Sequence, residues 1–276
     1  MTATTTLTGL PIWQCAPEIT PLAAGRTNEN YLITDGDSRF FARIGGDRQD
    51  LGINRASEAA CCQLAATHGI GPAVLYASDG ILVQAYLLGA TLHLEEALEP
   101  AMLERLAALL ARLHRTPAPR NLPTFDPVAI STRYLADLAD RELPEPRHRI
   151  KARLAHLRPG SGNAVVHGDL IPETVLRQNG RLYLIDWEYA GSGAPEVDLA
   201  LVLANFDLAQ ADAAHFLKTY GDHDASLLND MAVACIIREA LWCLLQARWS
   251  RSTGKGPGDL PAYTELCFRR LRDVLP

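Results

Sequence analysis

Along the first part of the chain, apolar positions come in short runs broken by glycine and aspartate. Ile19–Ala24, Asn30–Thr34 and Arg39–Ile44 are rich in β-branched and aromatic residues. Gly25 and the turn Asp35-Gly36-Asp37 separate them, so each predicts a strand. Asn54 suits an N-cap and Gly69 a C-terminal stop, which predicts a helix over 54–67. Val74–Ala77 and Ile81–Tyr86 predict a hairpin across Ser78-Asp79-Gly80. From Ala101 the spacing changes, and Leu103, Leu106, Leu109, Leu110 and Leu113 share one helical face. Pro117, Pro119 and Pro123 make Thr116–Asp126 a predicted surface connection. Helices are predicted at 131–141 and 146–157, a compact β section over Ala164–Ile185, and further helices at 198–205, 209–220, 226–249 and 261–274. The pattern is α+β and bilobal. A small β-rich N-lobe with one helix (residues 1–88) precedes a larger, mainly helical C-lobe (89–276). A hinge near Leu87–Gly89 predicts a ligand in the cleft.

Composition narrows the class. The chain has 276 residues, of which 48% are hydrophobic and 21% charged, the balance of a folded globular protein. Lys plus Arg number 26 against 32 Asp plus Glu, a net charge of −6 with no basic stripe, so a nucleic-acid partner is not expected. Arg269, Arg270 and Arg272 read instead as a charge cluster at a helix C-terminus. The longest apolar run, Met231–Ile237, is too short to span a bilayer, and the N-terminus lacks a basic region followed by an apolar stretch. A cytoplasmic location without membrane association is the expectation. The six cysteines form no C-x-x-C pair and are expected to be reduced and packed.

Two acidic segments carry the chemistry. His167-Gly168-Asp169 follows Val165-Val166, and Asp186-Trp187-Glu188 follows Leu182-Tyr183-Leu184-Ile185. Each places an Asp just after an apolar strand. A hairpin between the strands would turn both carboxylates into one cleft, where one can accept a hydroxyl proton and the other can hold a divalent cation on a phosphate. Either Asp alone would read equally well as a surface residue at a strand end.

These segments resemble the catalytic and metal-binding loops of the kinase-like small-molecule phosphotransferases, the superfamily of aminoglycoside, choline and thiamine kinases. The resemblance covers nearly the whole chain and implies a protein-kinase-like fold. Gly25-Arg26-Thr27-Asn28-Glu29-Asn30-Tyr31 is similar to the phosphate-covering turn of bacterial choline kinase-like proteins. Phe41-Ala42-Arg43-Ile44 resembles the strand with the phosphate-contacting cation, and Asn54-Arg55-Ala56-Ser57-Glu58 the start of the helix whose Glu pairs with it. The stretch Ile185–Gly191, with Asp198-Leu199-Ala200 after it, resembles choline, ethanolamine and thiamine kinase relatives most specifically.

By this resemblance Asp169 is the catalytic base, and Asp186, with Glu188, holds Mg²⁺ on ATP. Arg43, directed by Glu58, contacts the phosphates, while Gly25, Thr27 and Asn28 belong to the turn that cradles them. His167 is expected to prop the loop. The family usually has Asn five residues after the catalytic Asp as a second metal ligand; here Thr174 stands there, a shorter candidate ligand.

The acceptor is expected from the C-lobe helices. Glu239, Trp242, Gln246 and Trp249 share a helical face, and Trp beside a carboxylate suits a substituted ammonium. Trp242 resembles part of the aromatic box of choline kinases, although Glu239 stands where the helix normally carries its first Trp; Tyr263 falls near a later aromatic of that family. Core packing of Trp242 is the competing reading. The implied activity is an ATP-dependent kinase for choline or ethanolamine. A thiamine or aminoglycoside kinase, or a nucleotide-binding pseudokinase, are the alternatives.

Overall fold

The computed structural model describes residues 2–22, 28–78, 80–253 and 259–276. A short helix, α1 (Ala3–Thr8), opens the chain, capped by Thr2, whose hydroxyl accepts from Thr5 N at 3.2 Å. The strand pattern had not predicted it. Leu7 is buried against Tyr31, Ile33 and Val83, so α1 closes the outer face of the sheet that follows. That sheet is antiparallel with order β1-β2-β3-β5-β4: β1 (Glu18–Leu22), β2 (Glu29–Asp35), β3 (Ser38–Ile44), β4 (Val74–Ser78) and β5 (Ile81–Ala85). Ala23 and Ala24, expected at the end of the first strand, lie outside the described residues.

Between β3 and β4 runs α2 (Arg55–Thr67). Asn54 caps it by accepting from Ser57 N at 2.9 Å, and Gly69 follows it at a φ of 62°. Its buried positions Arg55, Glu58, Cys62 and Ala65 recur every three or four residues. The helix therefore turns one face inward that begins charged and continues apolar.

The second part begins with β6 (Ala90–Thr91) and α3 (Leu94–Ala97), followed by α4 (Pro100–His114). All five leucines of the predicted α4 stripe are buried, each stabilising the core by about 1.5–3 kcal/mol. The segment after α4 keeps to the surface as expected, with Pro117, Pro119 and Pro123 exposed. Leu122 and Phe125 are buried from it, and Phe125 N donates to Ser192 O at 2.8 Å. The next helix, α5 (Pro127–Asp137), starts earlier than predicted because Asp126 accepts from Val128 N at 3.0 Å and Pro127 takes the first turn. Then come α6 (Arg147–Leu154), β7 (Ala164–Val166), β8 (Val175–Gln178), β9 (Arg181–Leu184) and β10 (Gly191–Gly193). Helices α7 (Glu196–Asn205), α8 (Gln210–Tyr220), α9 (Ala225–Thr253) and α10 (Leu260–Val274) complete the chain.

The strands before the two aspartates are not hairpin partners. β7 pairs with β10, whereas β9 pairs with β8 in a three-stranded sheet with β6. The expected shared cleft is reached by another route, because the loops after β7 and β9 are joined through side chains. Gly89, in the predicted hinge, crosses β8 so closely that a Cβ there would overlap the Arg177 carbonyl. One continuous core spans α2, α4, α5, α7 and α9, and Tyr134 on α5 donates its hydroxyl to Leu51 O at 2.6 Å. No helix among the described residues is long and apolar enough to cross a membrane.

Candidate active site

The loop His167-Gly168-Asp169 leaves β7 with Gly168 at a φ of 76°. A Cβ at Gly168 would come within 2.9 Å of both the Phe125 ring and Tyr189 O, so glycine is required for conformation and for space. Asp198, in the first turn of α7, anchors the loop from behind. Its two oxygens accept from His167 N at 2.8 Å and Gly168 N at 2.9 Å, and His114 Nε2 donates to it at 3.0 Å. Burial works against the Asp198 charge, but the His114 hydrogen bond and the neighbouring imidazoles hold its carboxyl below the usual carboxylate value.

His167 is fully buried, and its Nε2 donates to Ile185 O at 2.9 Å. The side chain thereby fastens the loop of Asp169 to the residue before Asp186, as a prop would. Burial pushes its imidazole below the usual value, with Asp198 and the Ile185 carbonyl opposing. Asp186 sits in the left-handed region at a φ of 68°, the kind of strained position that clusters where a side chain must be aimed.

The approach to Asp186 from the first part of the chain is ionic. Arg43 and Glu58 are both 4% exposed and meet at 2.6 Å, so this pair is buried, unlike a solvent-screened surface pair. Arg43 also donates to Gly45 O at 3.2 Å and Gly80 O at 3.1 Å. Arg55 bridges the same Glu58 at 2.8 Å to Glu188 at 3.1 Å, and it donates to Asn28 Oδ1 at 2.5 Å. Asn28 in turn donates to Glu188 at 3.0 Å. Gly25 and Thr27, expected beside Asn28, lie outside the described residues.

Asp186 opens onto solvent yet is enclosed by protein on the cleft floor. That enclosure pushes its carboxyl well up, and the charges of Glu188, Asp169 and Glu58 add to the effect, opposed by Arg55. Carboxylates facing one another in this way are relieved by a hard cation, and their oxygens are the ligand type Mg²⁺ prefers. Among the described residues no three or more acidic, His or Cys side chains form a ready metal cage. Mg²⁺ on a nucleotide needs only one or two protein carboxylates, with phosphate oxygens completing its shell. Thr174 is buried, accepts from Ile171 N at 3.2 Å and donates to Ile171 O at 2.9 Å. Its hydroxyl closes the loop after Asp169.

On the C-terminal helices, Trp242 is half-buried and donates from Nε1 to the Tyr189 hydroxyl at 2.8 Å. Glu239 accepts from the Tyr263 hydroxyl. The three expected acceptor residues thus lie on facing parts of α9 and α10, with Trp242 tied to the segment that follows Asp186. Trp242 also packs against the main core, so the core-packing reading holds for part of its ring.

Residues 18–235 match the Phosphotransferase enzyme family (APH). The chain belongs to this family. It is similar to Protein LicA of Haemophilus influenzae, 28% identical over 71% of this chain and 60% of that protein, so it spans less than two thirds of that relative. It is also similar to ethanolamine kinase 2 of Mus musculus, 27% identical over 89% of this chain and 72% of the relative. Among solved structures it resembles choline kinase LicA from Streptococcus pneumoniae, with a TM-score of 0.76 at 24% identity, covering 93% of this chain and 92% of that one. That likeness bears on fold and supports the kinase-like, bilobal α+β architecture.

In this member of the family, three side chains at the site had no role assigned from the sequence. Arg55 follows the N-cap of α2 and sits three residues before Glu58, a spacing that flags an ion pair; its second partner, Glu188, is distant in sequence. Arg238 is buried and donates to Gly168 O at 3.1 Å. It follows the apolar run of α9, and a buried arginine there signals a buried partner. Tyr189 was legible only as part of the Ile185–Gly191 stretch. The six cysteines are free thiols; five are buried as expected, and Cys15 is exposed.

Proposed function

We propose that this chain is a kinase that transfers the γ-phosphoryl group of ATP to the hydroxyl of a small amino alcohol, choline or ethanolamine. The observation that carries this reading is the double anchoring of the His167-Gly168-Asp169 loop, to Asp198 behind it and to Ile185 beside Asp186. Phosphoryl transfer asks for position and charge neutralisation more than for covalent chemistry, and this anchoring supplies position.

Bound Mg²⁺-ATP supplies the electrophilic phosphorus and neutralises its charge. Asp169 orients the acceptor hydroxyl and takes its proton as the new O–P bond forms and the bond to the ADP oxygen breaks. Asp186 is the metal carboxylate. Glu188 is held for the same task by Arg55 and Asn28. Arg43, fixed by Glu58 and two backbone carbonyls, presents a cation to the phosphates, which Gly25, Thr27 and Asn28 are expected to cradle. Glu239, Trp242 and Tyr263 form the acceptor side. Thr174 braces the catalytic loop, and its remaining lone pair is the only one it can offer to a metal.

The test is Asp169→Asn. Fold and ATP binding are expected to survive, with turnover of choline or ethanolamine reduced on the order of 10²–10⁴-fold. Near-normal turnover overturns the assignment. One observation favours a second reading, a nucleotide-binding regulator: the Thr174 hydroxyl is already engaged by loop backbone where the family usually has a metal-binding Asn. ATP binding without transfer to any acceptor would select it.

A further inference from the structure

The chain crosses from the sheet to the helical part where β5 ends, toward Gly89. A second attachment stands at the other end of that strand. Ile81 pairs with Ile44, so the loop between β3 and α2 starts about 14 Å from the strand end that feeds Gly89. This loop is closed on itself: Arg48 N donates to Ile53 O at 3.0 Å and Ile53 N to Arg48 O at 2.9 Å. Its tip rests on the helical part. Leu51 and Ile53 are 1% exposed in the main core, and the Leu51 carbonyl accepts from the Tyr134 hydroxyl of α5. Arg48 donates to both oxygens of Asp50, at 3.0 and 2.8 Å, and its guanidinium lies 4.5 Å over the Trp249 ring of α9. The base of the loop rests on Arg55. Asp47 accepts from Arg55 N at 2.8 Å and Gly46 O from Arg55 Nε at 3.0 Å, while the far end of the same guanidinium reaches Glu188.

We propose that residues 46–53 are a strap across the cleft, and that Arg48 and Tyr134 are positioning residues that act on Glu188 through Arg55. This rests on the reading above of Glu188 as a carboxylate for Mg²⁺ on ATP. A single hinge leaves the angle between sheet and helices free, whereas attachments at both ends of β5 fix it. The Arg55 guanidinium is aimed by its own bond to Gly46 O, so a shift of the loop passes to the carboxylate it holds. A displacement of about 1 Å is enough to matter where the chemistry depends on position. Trp249 shares the α9 face of Trp242, but its ring lies under Arg48, so it serves the strap and not the acceptor.

The experiment compares the full chain with Arg48→Met, which removes the cation at similar length, and with Tyr134→Phe, which deletes one hydroxyl and keeps the ring. Hydrogen exchange of the nucleotide-free proteins reads the strap itself. The amides of Ile53 and Arg55 are expected to exchange about fivefold faster in each variant, and those of His167 and Gly168, held by Asp198, at the wild-type rate. Calorimetric titration with ATP then reads the site. The Mg²⁺ concentration that half-saturates the strengthening of ATP binding is expected to rise about fivefold, with metal-free ATP binding unchanged. Arg48→Lys keeps a cation over Trp249 and is expected to restore most of the difference. In a Glu188→Gln background, Arg48→Met is expected to add nothing, because its effect runs through that carboxylate. Faster exchange with an unaltered Mg²⁺ requirement makes the loop a structural element only and overturns the proposal. Unaltered exchange, or an additive effect in the Glu188→Gln background, overturns it as well. Should Arg48→Met fail to fold, Tyr134→Phe decides the same questions. Because these readouts need no phosphoryl transfer, a shifted Mg²⁺ requirement without turnover of choline or ethanolamine overturns the kinase reading and leaves the strap standing. No ATP binding by the wild type overturns both.

Discussion

Asp198→Asn tests the anchoring on which the catalytic loop depends. The wild-type carboxylate accepts from two consecutive backbone N–H groups, one on each oxygen, and from His114. Asparagine offers one oxygen and one NH₂, so at least one backbone N–H must face another donor in a fully buried place. Losing a hydrogen bond to a charged acceptor costs about 1.5–3 kcal/mol, and the stranded donor makes the upper end the better estimate, about 3 kcal/mol. For a chain of this size that corresponds to a fall in Tm of roughly 6–12 °C. The loop that carries Asp169 would also lose its register, and misplacement of about 1 Å lowers kcat by on the order of 10²-fold. Nucleotide affinity is expected to change little, since Arg43 and Glu58 stand on other elements. Thermal denaturation, ATP titration and steady-state turnover of the same preparation check the three expectations. The acid range adds a further check. The folded carboxyl is held below its ordinary value of 3.8, so its contribution is complete above that pH and is lost as pH falls through the folded value. The Tm gap between the two proteins should therefore be constant at mild pH and close only in strong acid. A Tm change under about 2 °C with unaltered kcat would refute the anchoring argument.

Asp186→Ala is expected to abolish the strengthening of ATP binding by Mg²⁺ while leaving metal-free binding intact; equal Mg²⁺ enhancement in the variant would remove Asp186 as the ligand. Thr174→Val deletes the hydroxyl that bridges the loop backbone and is expected to cost about 1–3 kcal/mol of stability without altering the Mg²⁺ concentration for half-maximal rate. A raised Mg²⁺ requirement would instead make Thr174 a metal ligand. His167 lies folded below its ordinary value of 6.5, so the unfolded chain takes up the proton first. Its stabilisation is present above about pH 6.5 and is lost as pH falls through the folded value. His167→Gln keeps a donor for Ile185 O and is expected to flatten the fall of Tm between about pH 7 and pH 5; an unchanged slope would assign that fall to other groups.

Local signals in the sequence located most elements because the forces behind them are local. The Asn54 cap, the leucine stripe of α4 and the Asp35–Ser38 turn each depend on residues within one or two helical turns or one hairpin. Two features escaped for the opposite reason. α1 is a short stretch of threonines that folds because Leu7 finds the sheet at Ile33 and Val83, a tertiary gain invisible to periodicity. The expected hairpin between the strands of Asp169 and Asp186 failed because strand order is decided by which edges are left to pair, and Gly191–Gly193 takes β7 while β8 takes β9.

At the site, the same division separates what motifs reveal from what they conceal. His167-Gly168-Asp169 and Asp186-Trp187-Glu188 are legible because each loop needs its own residues at fixed spacing: a glycine for the turn, a histidine to tie it, a carboxylate to act. The countercharges follow no such spacing. Glu188 is neutralised by Arg55 and by Asn28, on elements far away in sequence, and the loop of Asp169 is steadied by Arg238 near the other end of the chain. Their presence could nonetheless be demanded before their identity was known. Burying a carboxylate without a partner costs several kcal/mol, so Glu58 and Glu188 inside a cleft require cations, and an arginine in the apolar middle of α9 requires something to bond. What that demand cannot specify is which partner answers it. Here the fold answers it with Arg238, whose guanidinium lies over Phe125 and Tyr189 and bonds Gly168 O, tying the middle of α9 to the turn that aims Asp169.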